Sequence, residues 1–363
     1  MSAADLKTRA QAGDVRAQVD WAERLDELGR HQEAVEWLAR AGRAGDVLAL
    51  TRLGLRLVTG LNSPFLPSDG ARLLHDAAQA GGAEAAERLA VLLAGGFYVR
   101  QSFETALEFL QRAAELGSAP AREQLAILAG RDAAPPGDWP GLRRAVDIAS
   151  WTAAAPVEQL SGDPRVLTVR GMASPEACAW VVGQARRRLV RAELYDPASG
   201  RATTSEETRL NRIANFGLAD AQLLSVLIQA RIAATMGVPL NQLEAFAVLH
   251  YAVGEEYGEH FDYLDPSIPA YAGEIARMGQ RVATCLIYLN DDCEGGDTEF
   301  PQLGIRHRGA AGDALIFFSA DASGRPDPRT VHAGRPPTAG EKWVLSQFVR
   351  NRPVIGVSPP RGA

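Results

Sequence analysis

The sequence predicts a multidomain chain, an N-terminal all-α helical-repeat solenoid followed by a C-terminal α+β domain with a jelly-roll sheet. Three observations lead there. Gly13, Gly45, Gly81 and Gly117 recur at intervals of 32, 36 and 36 residues, each followed four positions on by Ala17, Ala49, Ala85 or Ala121. A stretch from Gly130 to Gly141, rich in Pro and Gly, then breaks the helical pattern. Beyond Val166, short runs rich in Val, Ile, Tyr and Phe are split by Gly and Pro turns, the punctuation of strands rather than of helices.

The repeat is also regular further along each unit. Trp21, Leu53, Leu89 and Leu125 stand eight positions after the glycines, and Ala22, Gly54, Ala90 and Ala126 nine after. Apolar residues within a unit keep helical spacing, as in Ala34, Val35, Trp37, Leu38 and Ala41, so each unit is predicted to be a pair of antiparallel helices. Small residues let the helices approach closely, and the glycine suits the left-handed cap that ends the second helix. This pattern resembles the Sel-type subgroup of tetratricopeptide-like repeats. Three to four units over residues 1–130 would stack as an α-solenoid, either holding a protein or peptide partner or serving structure or dimerisation. The array is interrupted by Asn62 to Asp69, read as a loop before a helix with Ser68 or Asp69 as N-cap.

Residues 131–163 read as a linker because Pro135, Pro136 and Gly137 cannot continue a helix, with one further helix from Leu142 to Trp151. The second domain is assigned to 164–353 and a flexible tail to 354–363. Ser174, Pro175 and Glu176 provide an N-cap, a first-turn proline and an acid near the positive helix end, opening a helix to Leu189. Asp196 to Arg201 reads as a turn, and Thr203 to Arg212 as a polar mobile loop. A second helix is expected from Ala219 to Met236. Strands are expected at Phe246–Tyr251, Val282–Leu289, Ala314–Phe318 and Trp343–Val349.

Composition bounds the function. The 363 residues carry a net charge of −6, with 38 basic and 44 acidic side chains interspersed. No basic tract calls for nucleic acid or an anionic membrane. The N-terminus lacks the apolar core of a signal peptide and no run approaches membrane-spanning length, which sets a cytoplasmic expectation. Cys178, Cys285 and Cys293 sit at no metal or redox spacing, and their odd number argues against a disulfide framework. They are expected to be buried thiols in a reducing compartment.

The chemistry is expected between His250 and Trp343. On extended backbone, His260 and Asp262 point to one face of a strand. With His332 they provide two imidazoles and a carboxylate, a facial triad that leaves coordination positions open, as in non-haem Fe(II) oxygenases. The same three ligands plus water would also satisfy Zn in a hydrolase. The surrounding motifs narrow the choice. Tyr251-Ala-Val-Gly254, His260-Phe-Asp262-Tyr263, Gly279-Gln280-Arg281 through Tyr288, Gly295-Gly296-Asp-Thr298, His332-Ala-Gly334 and Gly340-Glu-Lys342-Trp343 follow in order. In order and spacing they resemble the catalytic domain of the prolyl 4-hydroxylase family, 2-oxoglutarate- and Fe(II)-dependent dioxygenases, over Leu167 to Arg350.

That resemblance implies a double-stranded β-helix, with His260, Asp262 and His332 as the iron ligands. It implies that Lys342 pairs with the distal carboxylate of 2-oxoglutarate and that Tyr251, Tyr288 and Thr298 hydrogen-bond this cosubstrate. Arg281 would face the substrate, projecting toward the mouth of the site, and Arg209 would stand at the start of a substrate lid. Fe(II), 2-oxoglutarate, O2 and L-ascorbate (vitamin C) are the implied cofactors, and succinate and CO2 the coproducts. A prolyl residue of a protein or peptide is the implied substrate. A free amino acid or small metabolite is the alternative, and a catalytically inactive interaction protein a further one. One departure stands out: where the family often carries Trp, six residues after the lysine, this chain has Phe348.

Overall fold

The computed structural model describes residues 2–130, 134–135, 137–192, 194–196, 201–203, 210–321 and 323–354, with the backbone alone for 194–196 and 201–203. Contacts among the described residues divide the chain into two compact units, one of residues 2–148 with 218–226, the other of residues 149–217 with 227–354.

Eight helices build the repeat array of the first unit: α1 (Ala3–Gln11), α2 (Val15–Glu27), α3 (His31–Arg43), α4 (Val47–Thr59), α5 (Pro67–Gln79), α6 (Ala83–Gly95), α7 (Phe103–Glu115) and α8 (Ala119–Ala129). The periodic glycines Gly13, Gly45, Gly81 and Gly117 all have φ between 86° and 100°, a region where only glycine avoids strain. Gly45, Gly81 and Gly117 end the second helices of the pairs α2–α3, α4–α5 and α6–α7. Ala17, Ala49, Ala85 and Ala121 are fully buried. Small residues are required where backbones touch: a Cβ on Gly70 would lie 2.5 Å from the carbonyl oxygen of Gly54.

Two polar side chains of the array are buried for a stated purpose. Arg88 on α6 donates to the carbonyls of Ala219 (2.7 Å) and Ala221 (2.9 Å), and Gln124 on α8 accepts from Leu224 N–H (3.1 Å) and donates to Gln222 (2.8 Å). Both thus hold residues 219–224, a segment remote in sequence but part of this unit.

The expected N-cap at Ser68 or Asp69 is not what starts α5. Pro67 takes the first helical position, where its missing N–H costs nothing, and Leu66 precedes it without a side-chain cap. The expected helix over Leu142 to Trp151 is two short ones, α9 (Trp139–Ala145) and α10 (Ile148–Thr152), because Val146 between them is extended at φ −70°, ψ 116°.

The second unit is an antiparallel double-stranded β-helix with flanking helices. Its strands are β1 (Val157–Gly162), β2 (Arg165–Val169), β3 (Val190–Arg191), β4 (Leu194–Asp196), β5 (Arg201–Thr203), β6 (Arg212–Phe216), β7 (Phe246–Tyr251), β8 (Tyr257–His260), β9 (Arg281–Tyr288), β10 (Glu294–Gly295), β11 (Thr298–Phe300), β12 (Ile305–His307), β13 (Ala314–Phe318), β14 (His332–Gly334), β15 (Pro337–Ala339) and β16 (Lys342–Arg350). The larger sheet has eight strands in the order β1-β2-β13-β9-β16-β7-β6-β3, and the smaller has four, β12-β11-β14-β8. Leu286, Phe300, Leu315, Phe317 and Val344 pack in the core between them. The helices are α11 (Pro175–Arg186), capped by Ser174 through Ala177 N–H at 3.2 Å, then α12 (Leu223–Met236), which belongs to this unit from Leu227 on, and α13 (Pro269–Met278).

Part of the predicted linker is sheet: β1 pairs with β2 along the edge. Its residues Val157 to Leu160 are all exposed, so no apolar face betrays the strand in the sequence. The expected turn at residues 197–200, most of the polar loop (204–209) with Arg209, and most of the tail lie outside the described residues.

Candidate metal centre and cosubstrate cavity

The smaller sheet brings the two histidines together. His260 ends β8, His332 begins β14, and the two residues are direct cross-strand partners, with ring centroids 4.2 Å apart. Asp262 does not share a strand with His260, as the H-x-D spacing suggests. The strand stops at His260 and Asp262 sits in the bend beyond, where the turning backbone still aims its carboxylate at both rings. Oδ1 is 3.5 Å from His260 Nε2 and Oδ2 is 3.6 Å from His332 Nε2. One ligand atom from each residue lies within 4.8 Å of the others.

Each imidazole is oriented through its other nitrogen. His260 Nδ1 is 2.9 Å from the Gly258 carbonyl and His332 Nδ1 is 3.1 Å from the Thr330 carbonyl. A carbonyl only accepts, so both Nδ1 atoms carry the proton and both Nε2 lone pairs face inward. The Tyr257 ring lies flat on His260 at 3.5 Å, and Phe300 and Phe317 enclose His332. Burial pushes the His332 imidazole down to about 4, so it is neutral at pH 7. Burial opposes the charge on Asp262, but His332, His260 and the Thr284 hydroxyl, 2.6 Å from Oδ2, hold the carboxyl well below its ordinary range. Two imidazole nitrogens and an ionised oxygen converging on one point are the donor set of a divalent cation. The residues present therefore fit an Fe(II) ion.

The cluster opens into a cavity of about 900 Å³, at the large end of the ~300–1,000 Å³ usual for small-molecule sites. Strand alternation decides what faces it. On β16, Lys342, Val344, Ser346 and Phe348 all line the cavity, and on β7, Ala247, Leu249 and Tyr251 do. Lys342 is 4 % exposed and pairs in register with Tyr251, its Nζ 4.9 Å from that ring centre. Among the described residues no carboxylate lies within ion-pair distance of its Nζ. Burial pushes the ammonium down to about 8, with Cys293 and Asp297 partly restoring it. A buried cation with such a weak set of neighbours carries a desolvation cost that an anion bound in the cavity would offset.

Thr298 lines the cavity, but Tyr288 does not. Its hydroxyl is 3.1 Å from Thr298 Oγ1 and 3.3 Å from the His307 carbonyl, and burial pushes its pKa far up. Tyr288 therefore ties the larger sheet to the smaller and fixes Thr298, rather than reaching the cavity itself.

At the outer end, Arg281 lies on the same face as Phe348 despite its opposite strand phase to Tyr288. A bulge shifts the β9–β16 register so that Arg350 pairs with Arg281 directly after Val349 pairs with Ala283, which turns Arg281 inward. Its guanidinium sits 3.9 Å over the Phe348 ring and bonds both oxygens of Glu244 at 2.8 and 3.0 Å. The fully buried Arg350 also bonds Glu244, and reaches Glu274 on α13. Burial alone would raise the Glu244 carboxyl, but these two arginines hold it down. Phe348 at the usual Trp position is thus the platform for an arginine already neutralised by Glu244. His250 and His307 lie outside this constellation.

Sequence reasoning missed Thr284, Glu244 and Gln280. Thr284 and Gln280 lie inside the quoted motif, but only the fold reveals their partners; Glu244 precedes Arg281 by 37 residues and carries no local signal.

Residues 246–350 match the model of the 2OG-Fe(II) oxygenase superfamily, and residues 30–46 and 83–118 match the Sel1 repeat. Prolyl 4-hydroxylase 1 of Arabidopsis thaliana is 31% identical over 208 residues, which span 54% of this chain and 72% of that protein. Prolyl 4-hydroxylase subunit alpha-1 of Rattus norvegicus is 32% identical over 189 residues, spanning 52% of this chain and 35% of that one. Among solved structures, the viral collagen prolyl hydroxylase of Paramecium Bursaria Chlorella virus-1 in its 2OG complex aligns over 51% of this chain and 95% of its own, at 22% identity and a TM-score of 0.40.

Proposed function

Because the chain belongs to the prolyl 4-hydroxylase family of 2-oxoglutarate- and Fe(II)-dependent oxygenases, we propose that it hydroxylates a prolyl residue held in a protein or peptide, releasing succinate and CO2. The observation that carries this reading is Lys342: a buried lysine without an acid partner, opening into the cavity that also holds His260, Asp262 and His332.

In this reading His260 Nε2, His332 Nε2 and the Asp262 carboxylate hold Fe(II), which supplies the oxygen-activating and decarboxylating chemistry of the family when bound. The protein does the rest. Gly258 and Thr330 carbonyls fix the imidazole tautomers, and the Thr284 hydroxyl fixes the carboxylate. Lys342 receives the distal carboxylate of 2-oxoglutarate, Tyr251 and Thr298 flank it, and Tyr288 steadies Thr298. Leu286 and Val344 line the cavity with apolar surface that excludes water. At the outer end, Phe261, Tyr263 and Arg281 form the wall along which the substrate lies. Arg209 is retained as a second substrate contact on sequence grounds alone.

The helical repeats are the proposed holder of the protein partner. Three free, buried cysteines support a reducing, cytoplasmic setting, and among the described residues no helix is long and apolar enough to cross a membrane. L-Ascorbate is the proposed reductant that keeps the iron ferrous.

The test is succinate formation from 2-oxoglutarate by the full-length protein with Fe(II) and ascorbate. Turnover that rises with a proline-containing peptide supports the reading. Turnover that rises only with free proline or another small metabolite transfers the activity to that class, with the repeats left to architecture. No succinate under any condition, despite bound iron, overturns the enzyme.

A further inference from the structure

Asp262 lies beyond the end of β8, so no ladder of backbone hydrogen bonds holds the segment that carries it. A side chain does so instead. The Gln280 amide donates from Nε2 to the Leu264 carbonyl at 2.6 Å and accepts at Oε1 from Leu264 N–H at 2.8 Å. That is the two-bond exchange of a hydrogen-bonded antiparallel residue pair, made by one side chain. The same Oε1 accepts from Arg281 N–H at 2.8 Å. Gln280 is 2 % exposed, so water does not substitute for these bonds. It is itself fixed from behind: its N–H donates to Asn351 Oδ1 at 2.9 Å and its carbonyl accepts from Asn351 N–H at 3.0 Å.

We infer that Gln280 is a positioning residue which locks residues 261–265 to the head of β9, and so sets both the place of Asp262 and the place of the substrate wall. The inference rests on the metal-centre reading above. Its basis is that one short segment has two duties. Asp262 faces the histidines, while Phe261, Tyr263, Leu264 and Asp265 line the cavity. Leu264, buried between these duties, is the residue that Gln280 grips. Thr284 orients the Asp262 carboxylate from β9, and Gln280 holds the backbone from the residue preceding β9, so ligand and wall move together or not at all. The Lys342 end of the cavity is built on β16 and β7 and does not depend on this grip.

The test uses the metal-free full-length protein titrated with Co(II), together with amide hydrogen exchange at Leu264 before metal is added. Gln280→Leu is expected to weaken Co(II) binding by about 10-fold or more, as loss of outer-shell support of a ligand does. Leu264 exchange is expected to accelerate in the same variant, and in turnover the KM for the substrate to rise while that for 2-oxoglutarate changes less than about twofold. If Gln280→Leu does not fold, Gln280→Glu serves. At pH 8, where the carboxylate form is favoured, it keeps the length and the acceptor for Leu264 N–H; at pH 6 its protonated form can still donate to the Leu264 carbonyl. Relative to the wild type at each pH, Co(II) affinity is therefore expected to be weakened at pH 8 and partly restored at pH 6. Leu345→Ala, a core truncation on the opposite face of β16, is the comparison for general destabilisation. Its melting temperature is expected to fall with Co(II) affinity unchanged. Wild-type Co(II) affinity and wild-type Leu264 exchange in Gln280→Leu would overturn the inference, as would an equal loss of affinity in Leu345→Ala. Failure of the wild-type protein to bind Co(II), with Leu264 protected, would instead overturn the metal-centre reading.

Discussion

His260 and His332 face one another as cross-strand partners on β8 and β14, their ring centroids 4.2 Å apart. Each turns Nδ1 to a backbone carbonyl two residues earlier in its own chain segment, Gly258 for one and Thr330 for the other. Sheet register and these two carbonyls together fix the two nitrogen donors of the centre. The oxygen donor is held differently, by a bend and by side chains from β9 and the residue preceding it, so the centre has one rigid edge and one supported edge.

The rigid edge makes a sharp expectation for ligand removal. His260→Ala and His332→Ala should each abolish stoichiometric Fe(II) or Co(II) binding and substrate hydroxylation. Neither ring belongs to the helical repeats, so circular dichroism of the helices should be retained. Full turnover in either variant would refute the assignment.

The supported edge should respond by degrees. Thr284→Val keeps the shape of the side chain but removes the hydroxyl that donates to Asp262 Oδ2 at 2.6 Å. Metal affinity should fall by about 10- to 100-fold, measured by competition with a chelator, without loss of the 1:1 stoichiometry. An unchanged dissociation constant would mean that the carboxylate is oriented from elsewhere.

The larger sheet was legible because its central strands are long enough to show a pattern: β7, β9, β13 and β16 have 6, 8, 5 and 9 residues. The smaller sheet was not, since β8, β11, β12 and β14 have only 4, 3, 3 and 3, too few for alternation to register. The repeat was legible for the opposite reason, as four glycines forced to positive φ leave a period that survives divergence elsewhere. At the site, His260, Asp262, His332 and Lys342 were found by motif and meet in one cavity. Arg281 was expected at the mouth by strand phase and lines the outer cavity, but the bulge that turns it there leaves no mark in the residue order. The direction of the Tyr288 hydroxyl was hidden because Thr298 and His307 reach it only through sheet-on-sheet packing.

In the repeats, the stability expectation concerns α4 and α5. A Cβ on Gly70 would fall 2.5 Å from the Gly54 carbonyl oxygen and 2.7 Å from Val58 N, both backbone atoms. Neither can swing aside as a side chain would. Gly70→Ala should therefore separate the two helices at an overpacking cost of about 1–3 kcal/mol, and after the ~1 kcal/mol that Ala gains over Gly inside a helix the unit should be destabilised by up to about 2 kcal/mol. Chemical denaturation followed by helical circular dichroism would measure it. A stabilised variant would show that the helix contact is looser than the backbone distances require.

Lys342 ties cosubstrate binding to pH, and the sign follows from which form of the lysine an anion needs. Burial brings its ammonium from an ordinary value of 10.5 down to about 8. A dicarboxylate binds the protonated form and raises that pKa again. The dissociation constant for 2-oxoglutarate should therefore be flat below pH 8 and rise above it, approaching tenfold per pH unit until the pKa of the complex is reached. Lys342→Met should lose this dependence and weaken 2-oxoglutarate by about two orders of magnitude at pH 7, within the ~2–5 kcal/mol cost of removing one partner of a buried charge pair. Calorimetric titration of 2-oxoglutarate at pH 7, 8 and 9 into the Mn(II)-loaded wild type and variant separates this from any change in turnover. A pH-independent dissociation constant in the wild type, or an unchanged one in Lys342→Met, would place the distal carboxylate on another residue.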